Sequence, residues 1–195
     1  MNKLKYALSH GKLIIFILII SVCLITSGVF DVISQINSAE NGIEILLIDV
    51  YLSKGDSNSL AKSVKKATNI QYVGVATIDE KDTRDYIKTV SNYTFTDYLN
   101  DTAESKDTEI IFVTEKLLPE VYLMKNIVPL AIDGKFSETC YYSGILYAFP
   151  LKNVYVTDYN AEIISLQENT YAILLEGDHT EDARNYLMNL SAEAK

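Results

Sequence analysis

The sequence predicts an α/β fold with a mostly parallel open sheet and helices on both faces, preceded by one N-terminal transmembrane helix. Three observations predict it. Apolar, β-branched segments of strand length recur, each bounded by turn residues. Stretches with helical spacing lie between them, which argues for right-handed parallel crossovers. The chain also starts with three lysines and no carboxylate, followed by an unbroken apolar run.

Lys3, Lys5 and Lys12 precede the run Leu13 to Phe30, and Asp31 is the first acid. As a helix, those eighteen residues would span roughly 27 Å, the depth of a bilayer's hydrocarbon core. The lysines then mark the cytoplasmic side. The expected organisation is a cytoplasmic segment at 1–12, an anchor at 13–30, a stalk at 31–42 and an extracytoplasmic domain at 43–195. A cleaved signal peptide is the alternative. Signals carry apolar cores of about 7–15 residues, and the best cleavage point here, after Gly28, lacks a good small-residue pattern, so length favours the anchor. Either reading places the remainder outside the cytoplasm.

The domain reads element by element. Ile43 to Leu52 is apolar on both faces, as a central covered strand is. Ser53-Lys54-Gly55-Asp56 is a turn with helix-capping chemistry, and Leu60, Ala61, Val64 and Ala67 come next at helical spacing. Gln71 to Ile78 is a second strand, and Asp79 to Val90 a second helix that would bury Tyr86, Ile87 and Val90. A polar segment, Ser91 to Asp107, separates it from a third strand at Thr108 to Val113. Thr114 can cap a short helix after that strand, and Pro119 suits a first helical turn. Gly144 to Leu151, Val154 to Val156 and Glu162 to Leu166 read as strands, the last two as short antiparallel pieces. Tyr171 to Leu175 is the final strand, and Asp178 with Glu181 forms a capping-box-like start to the last helix.

Composition narrows function. The chain carries 26 acidic and 17 basic residues, net −9. Setting aside Lys3, Lys5 and Lys12 leaves 14 basic groups against 26 acidic ones, or −12 outside the anchor. Such a surface repels nucleic acid and anionic lipid. Of the two cysteines, Cys23 lies in the anchor and Cys140 in the domain, too far apart for a disulfide. The domain must therefore be held by its core. Fourteen tyrosines and no tryptophan include Tyr141, Tyr142, Tyr147, Tyr155 and Tyr159, a candidate interaction face.

The phrase Glu109-Ile110-Ile111-Phe112-Val113-Thr114-Glu115-Lys116-Leu117-Leu118-Pro119-Glu120, running on to Ile127-Val128-Pro129-Leu130, resembles the first lobe of bacterial type II extracellular solute-binding proteins. Asp133-Gly134-Lys135, Leu146 to Leu151 and the helix Thr180 to Leu190 are similar to later parts of that lobe. The resemblance implies a periplasmic-binding-protein-like fold and a working association with an ABC transporter. Family members close two lobes on a solute and are far longer, so it implies here a single anchored lobe acting as a transporter accessory.

No catalytic constellation emerges from the residues. Open α/β sheets bind ligands at strand C-termini, so the candidate ligand- or partner-binding residues are Ser53, Asp56, Thr77, Asp79, Thr114 and Glu115, with Glu80 emerging at the same edge. Helix capping and first-turn acids are the competing account of each. Asp79, Glu80 and Asp82 lack calcium-loop spacing, and Asp178-His179 near Glu181 and Asp182 reads as capping. No metal or cofactor is expected. The expected function is a non-enzymatic binding or accessory domain on the cell membrane, its partners the bilayer through residues 13–30, a transporter permease or other membrane protein, and a small solute. A stand-alone small-molecule sensor is the first alternative and an exported hydrolase the second. The single exported histidine gives the hydrolase little chemistry.

Overall fold

β1 (Gly42–Ile48) is the centre of the fold, flanked in parallel by β2 (Tyr72–Ile78) and β3 (Thr108–Thr114). The computed structural model describes residues 42–68, 70–105, 107–132, 136–156 and 162–193. The expected cytoplasmic segment, the anchor, the stalk as far as residue 41 and the Asp133-Gly134-Lys135 turn lie outside the described residues. Among those described, no helix is long and apolar enough to cross a membrane.

With β4 at Ile127–Val128 and β8 at Glu162–Leu175, the strand order is β2-β1-β3-β8-β4. The long strand β8 (Glu162–Leu175) runs antiparallel to β3, pairing Ile111 with Ile173 and Val113 with Tyr171. Its outer edge is shared by β4 (Ile127–Val128) and β7 (Ala148–Val156), both antiparallel to it. The sheet is therefore mixed: the parallel expectation holds for a core of three strands, and β8, β4 and β7 are added beyond that core by antiparallel pairing. The reason is connectivity. β7 ends at Val156 and β8 starts at Glu162, a separation too short for a parallel crossover, so the two pair antiparallel.

Alternation along β1 builds the two faces. Ile43, Ile45 and Leu47 are buried with Leu60 and Val64 of α1 (Lys54–Thr68) and with Ala183, Leu187 and Leu190 of α5 (Thr180–Glu193). Leu46 and Ile48 point the other way. They are buried with Leu99 and Ala103 of α3 (Phe95–Ser105) and Val121 of α4 (Leu118–Val121). Helices thus cover both faces, as the doubly apolar strand pattern requires.

Several expectations change. The polar separator at 91–107 contains α3, whose Phe95, Leu99 and Ala103 form a stripe four residues apart. Thr94 and Asp97 cap it reciprocally: the Asp97 N–H donates to Thr94 Oγ1 at 3.1 Å, and the Thr94 N–H donates to Asp97 Oδ2 at 2.9 Å. α2 (Glu80–Ile87) is shorter than expected. Tyr86 and Val90 are 58% and 38% exposed rather than buried, because the helix turns Thr83 and Ile87 inward and ends before Val90. The segments 162–166 and 171–175 are one strand. Ahead of β7, the short strands β5 (Tyr141–Tyr142) and β6 (Ile145–Leu146) form a hairpin whose turn residues, Ser143 and Gly144, have φ of 52° and 79°.

The β1–β3 pairing contains one irregularity. Glu44 pairs with Thr108 and Ile45 with Ile110, so Glu109 is an extra residue in β3.

Candidate functional site

Parallel pairing brings three strand ends together. Ile48 is level with Ile78 on one side and Val113 on the other, so the loops after β1, β2 and β3 leave from one edge. Asp49 continues the ladder by one bond, its N–H donating to the Ile78 carbonyl at 2.8 Å. Its φ of 56° then turns the chain. Aspartate is among the few non-glycine residues that adopt this left-handed conformation readily.

The side chains of these loops form a continuous network. Lys116, in the 3-10 turn after β3, places Nζ 2.6 Å from Asp49 Oδ2 and 2.8 Å from Glu80 Oε2. The Tyr51 hydroxyl donates to Asp49 Oδ1 at 3.1 Å and to Asp79. Asp79 caps α2, its Oδ1 accepting the Asp82 N–H at 2.8 Å. Arg84 Nε lies 2.8 Å from Glu80 Oε1, its guanidinium also pairs with Glu120, and the same group sits 4.6 Å above the Phe95 ring.

The electrostatics reinforce the ordinary charge states of Lys116, Glu80, Asp79, Tyr51 and Arg84. Asp49, with help from Glu80, raises the Lys116 ammonium well above the usual lysine range, and Lys116 in turn holds the Glu80 carboxyl below its ordinary value. The Tyr51 hydrogen bond lowers Asp79, while the same bond pushes Tyr51 upward, aided by desolvation and Asp49. Glu80 and Glu120 raise Arg84. Every one of these shifts carries the group's titration further from neutral pH, so the arrangement fixes charge in place rather than poising a proton for transfer. Four carboxylates (Asp49, Asp79, Glu80 and Glu120) face two cations (Lys116 and Arg84), a formal excess of two negative charges.

Of the residues expected from sequence, Asp79 and Glu80 enter this network. Ser53 and Asp56 instead cap α1: the Asp56 N–H donates to Ser53 Oγ at 3.1 Å, and Ser53 Oγ donates to Asp56 Oδ2 at 2.7 Å. Thr77 is exposed near the end of β2. Thr114 precedes the 3-10 turn without a side-chain capping bond, and its buried Oγ1 has no hydrogen-bond partner among the described residues. Glu115 opens that turn, but the residue that reaches the other loops is its neighbour, Lys116.

Sequence reasoning missed Asp49, Tyr51, Lys116, Arg84 and Glu120. One signal was available. Asp49 interrupts an apolar run that otherwise reads as a covered strand, and an acid there marks the strand's end.

Among the described residues, no group of three or more histidine, cysteine, aspartate or glutamate side chains is arranged to hold a metal ion. His179 Nδ1 lies 3.8 Å from Asp182 Oδ2, one turn along α5. The tyrosine-rich half forms a small aromatic cluster. Tyr122 stacks on Tyr142 with ring centroids 5.4 Å apart, Tyr147 closes against both, and the buried Tyr122 hydroxyl donates to the Thr139 carbonyl at 2.6 Å. No known protein family, no curated protein and no solved structure matches this chain.

Proposed function

We propose that this chain is a non-enzymatic accessory domain, anchored in the cell membrane through residues 13–30, that offers its acidic sheet edge to a cationic group on a membrane partner. A transporter permease is the partner class. The observation that carries this reading is the meeting of three loops in one ion-paired network with carboxylates in excess. Such a surface recruits positive charge through long-range attraction and rejects anions. The charge of −12 outside the anchor acts in the same direction.

The test is crosslinking of the full-length protein in its native membrane, followed by mass spectrometry, for wild type and for Asp79→Asn combined with Glu120→Gln. Stoichiometric recovery of a permease, reduced by the double substitution and by high salt, supports the reading. Recovery of the protein alone sinks it. A saturable affinity of that lone protein for an amine-bearing solute would favour a stand-alone sensor instead.

A further inference from the structure

At the opposite end of the parallel strands from the sheet-edge network, a carboxylate is built into the core. Glu109, the extra residue of the β1–β3 bulge, is 1% exposed. Its Oε1 accepts the His179 N–H at 3.4 Å, and the Glu44 backbone also donates to the carboxylate. Its Oε2 is buried with no hydrogen-bond partner among the described residues, as is His179 Nε2. The loop between β8 and α5 closes tightly over the group. A Cβ placed on Gly177 would lie 2.9 Å from Glu109 Oε1 and 3.0 Å from its Cγ, closer than side-chain atoms pack.

An acid held this way, half satisfied and covered by a glycine, costs more when charged than when neutral. The surroundings reinforce that preference. Ionisable groups on the elements around it are Glu44 on β1, Asp107 ahead of β3, Glu176, Asp178 and His179 in the covering loop, and Glu181, Asp182 and Arg184 near the start of α5. Asp107 and Asp178 both act on Glu109 as like charges.

We propose that Glu109 is a proton-operated clasp: its neutral form holds the Gly177–Thr180 turn and the start of α5 closed over the β-bulge, and its ionised form loosens them. Desolvation pushes the carboxyl up from 4.5 to about 7, against the two backbone N–H donors that pull it down. The closed state therefore holds a proton that an opened, hydrated carboxyl has lost between those two values. Closure is strongest in acid, weakens as pH rises through that window and levels off above about 7. Between pH 5.5 and 8 the closing equilibrium falls about 30-fold on these values.

The test is amide hydrogen exchange in the full-length protein at pH 5.5 and 8, corrected for the intrinsic pH dependence of exchange, read over residues 176–184. Wild type should lose about 30-fold in protection there, while Glu109→Gln should stay equally protected at both values. Unchanged protection in wild type overturns the clasp. An equal loss in Glu109→Gln also overturns it, because the titrating group would then be another one. Should the variant misfold, 13C NMR of glutamate-labelled wild type reads the carboxyl directly. A Cδ resonance moving with a midpoint near pH 7 is expected, and midpoints all below pH 5 overturn the proposal.

Discussion

Replacing Lys116 with methionine removes the one charge that bridges the loops after β1 and β2 from the turn after β3 while keeping most of the apolar stem. In the native protein, Nζ lies under 3 Å from oxygens of both Asp49 and Glu80, so those oxygens are within about 5.5 Å of each other. The lysine is 58% exposed and the carboxylates 17% and 22%. Pairs at such a rim contribute about 0.2–1 kcal/mol each. Two lost pairs give about 1 kcal/mol, and the unmasked repulsion between the acids adds about 1 more in a water-like dielectric. The expected loss is therefore about 1–2 kcal/mol in 20 mM salt. In 0.5 M salt the screening length shrinks to about 4 Å, and less than half of that loss should remain. Urea denaturation of wild type and variant at both ionic strengths measures this as a midpoint shift at constant slope. A loss that persists unchanged in 0.5 M salt, or no loss at 20 mM, would refute the electrostatic account of the network.

Particular contacts set four further outcomes. Glu109→Gln should flatten the pH dependence of unfolding: wild-type stability falls as pH rises from 4.5 to about 7, and above that window the variant should be the more stable by up to about 3 kcal/mol; urea titrations at pH 5 and 8 showing the same slope for both proteins would contradict this. Phe112→Ala, at a fully buried position in the middle of β3, should cost about 3–5 kcal/mol in chemical denaturation, and a loss below 1 kcal/mol, on this same scale, would mean the site is not packed as described. Arg84→Met should lose about 1 kcal/mol by removing the Glu80 and Glu120 pairs and the contact over Phe95, read as a drop in melting temperature that shrinks with salt. Gly177→Ala should destabilise by about 1–3 kcal/mol through its clash with Glu109, and a double-mutant cycle with Glu109→Asp should show that the two losses do not add.

The strands were legible because burial on two faces leaves a plain mark. Ile43 to Ile48 and Ile110 to Val113 have little polar interruption, and they form the middle of the sheet. α3 was illegible because its buried stripe is three residues long in an otherwise polar segment, so its capping pair carries more signal than its hydrophobicity. The direction of β8 could not be read locally, since a fully covered strand has the same pattern whichever way it runs. At the sheet edge, Asp79 was found because it comes directly after its strand. Lys116 and Arg84 were not, because a long flexible side chain reaches partners that only the folded topology brings near. Arg84 and Glu120 are 36 residues apart in the chain.

The position of β8 has a consequence for how the molecule is made. β3 finds its second neighbour only in residues 170–174, some sixty positions further along. A chain emerging from its N-terminus first therefore presents Ile110, Ile111, Phe112 and Val113 on an open edge until residues 170–174 have appeared. The parallel core cannot close early, and its formation is gated by the last strand, a non-local and intrinsically slow event. A truncation ahead of Glu162 would leave that apolar edge permanently unpaired, and such fragments should self-associate rather than fold.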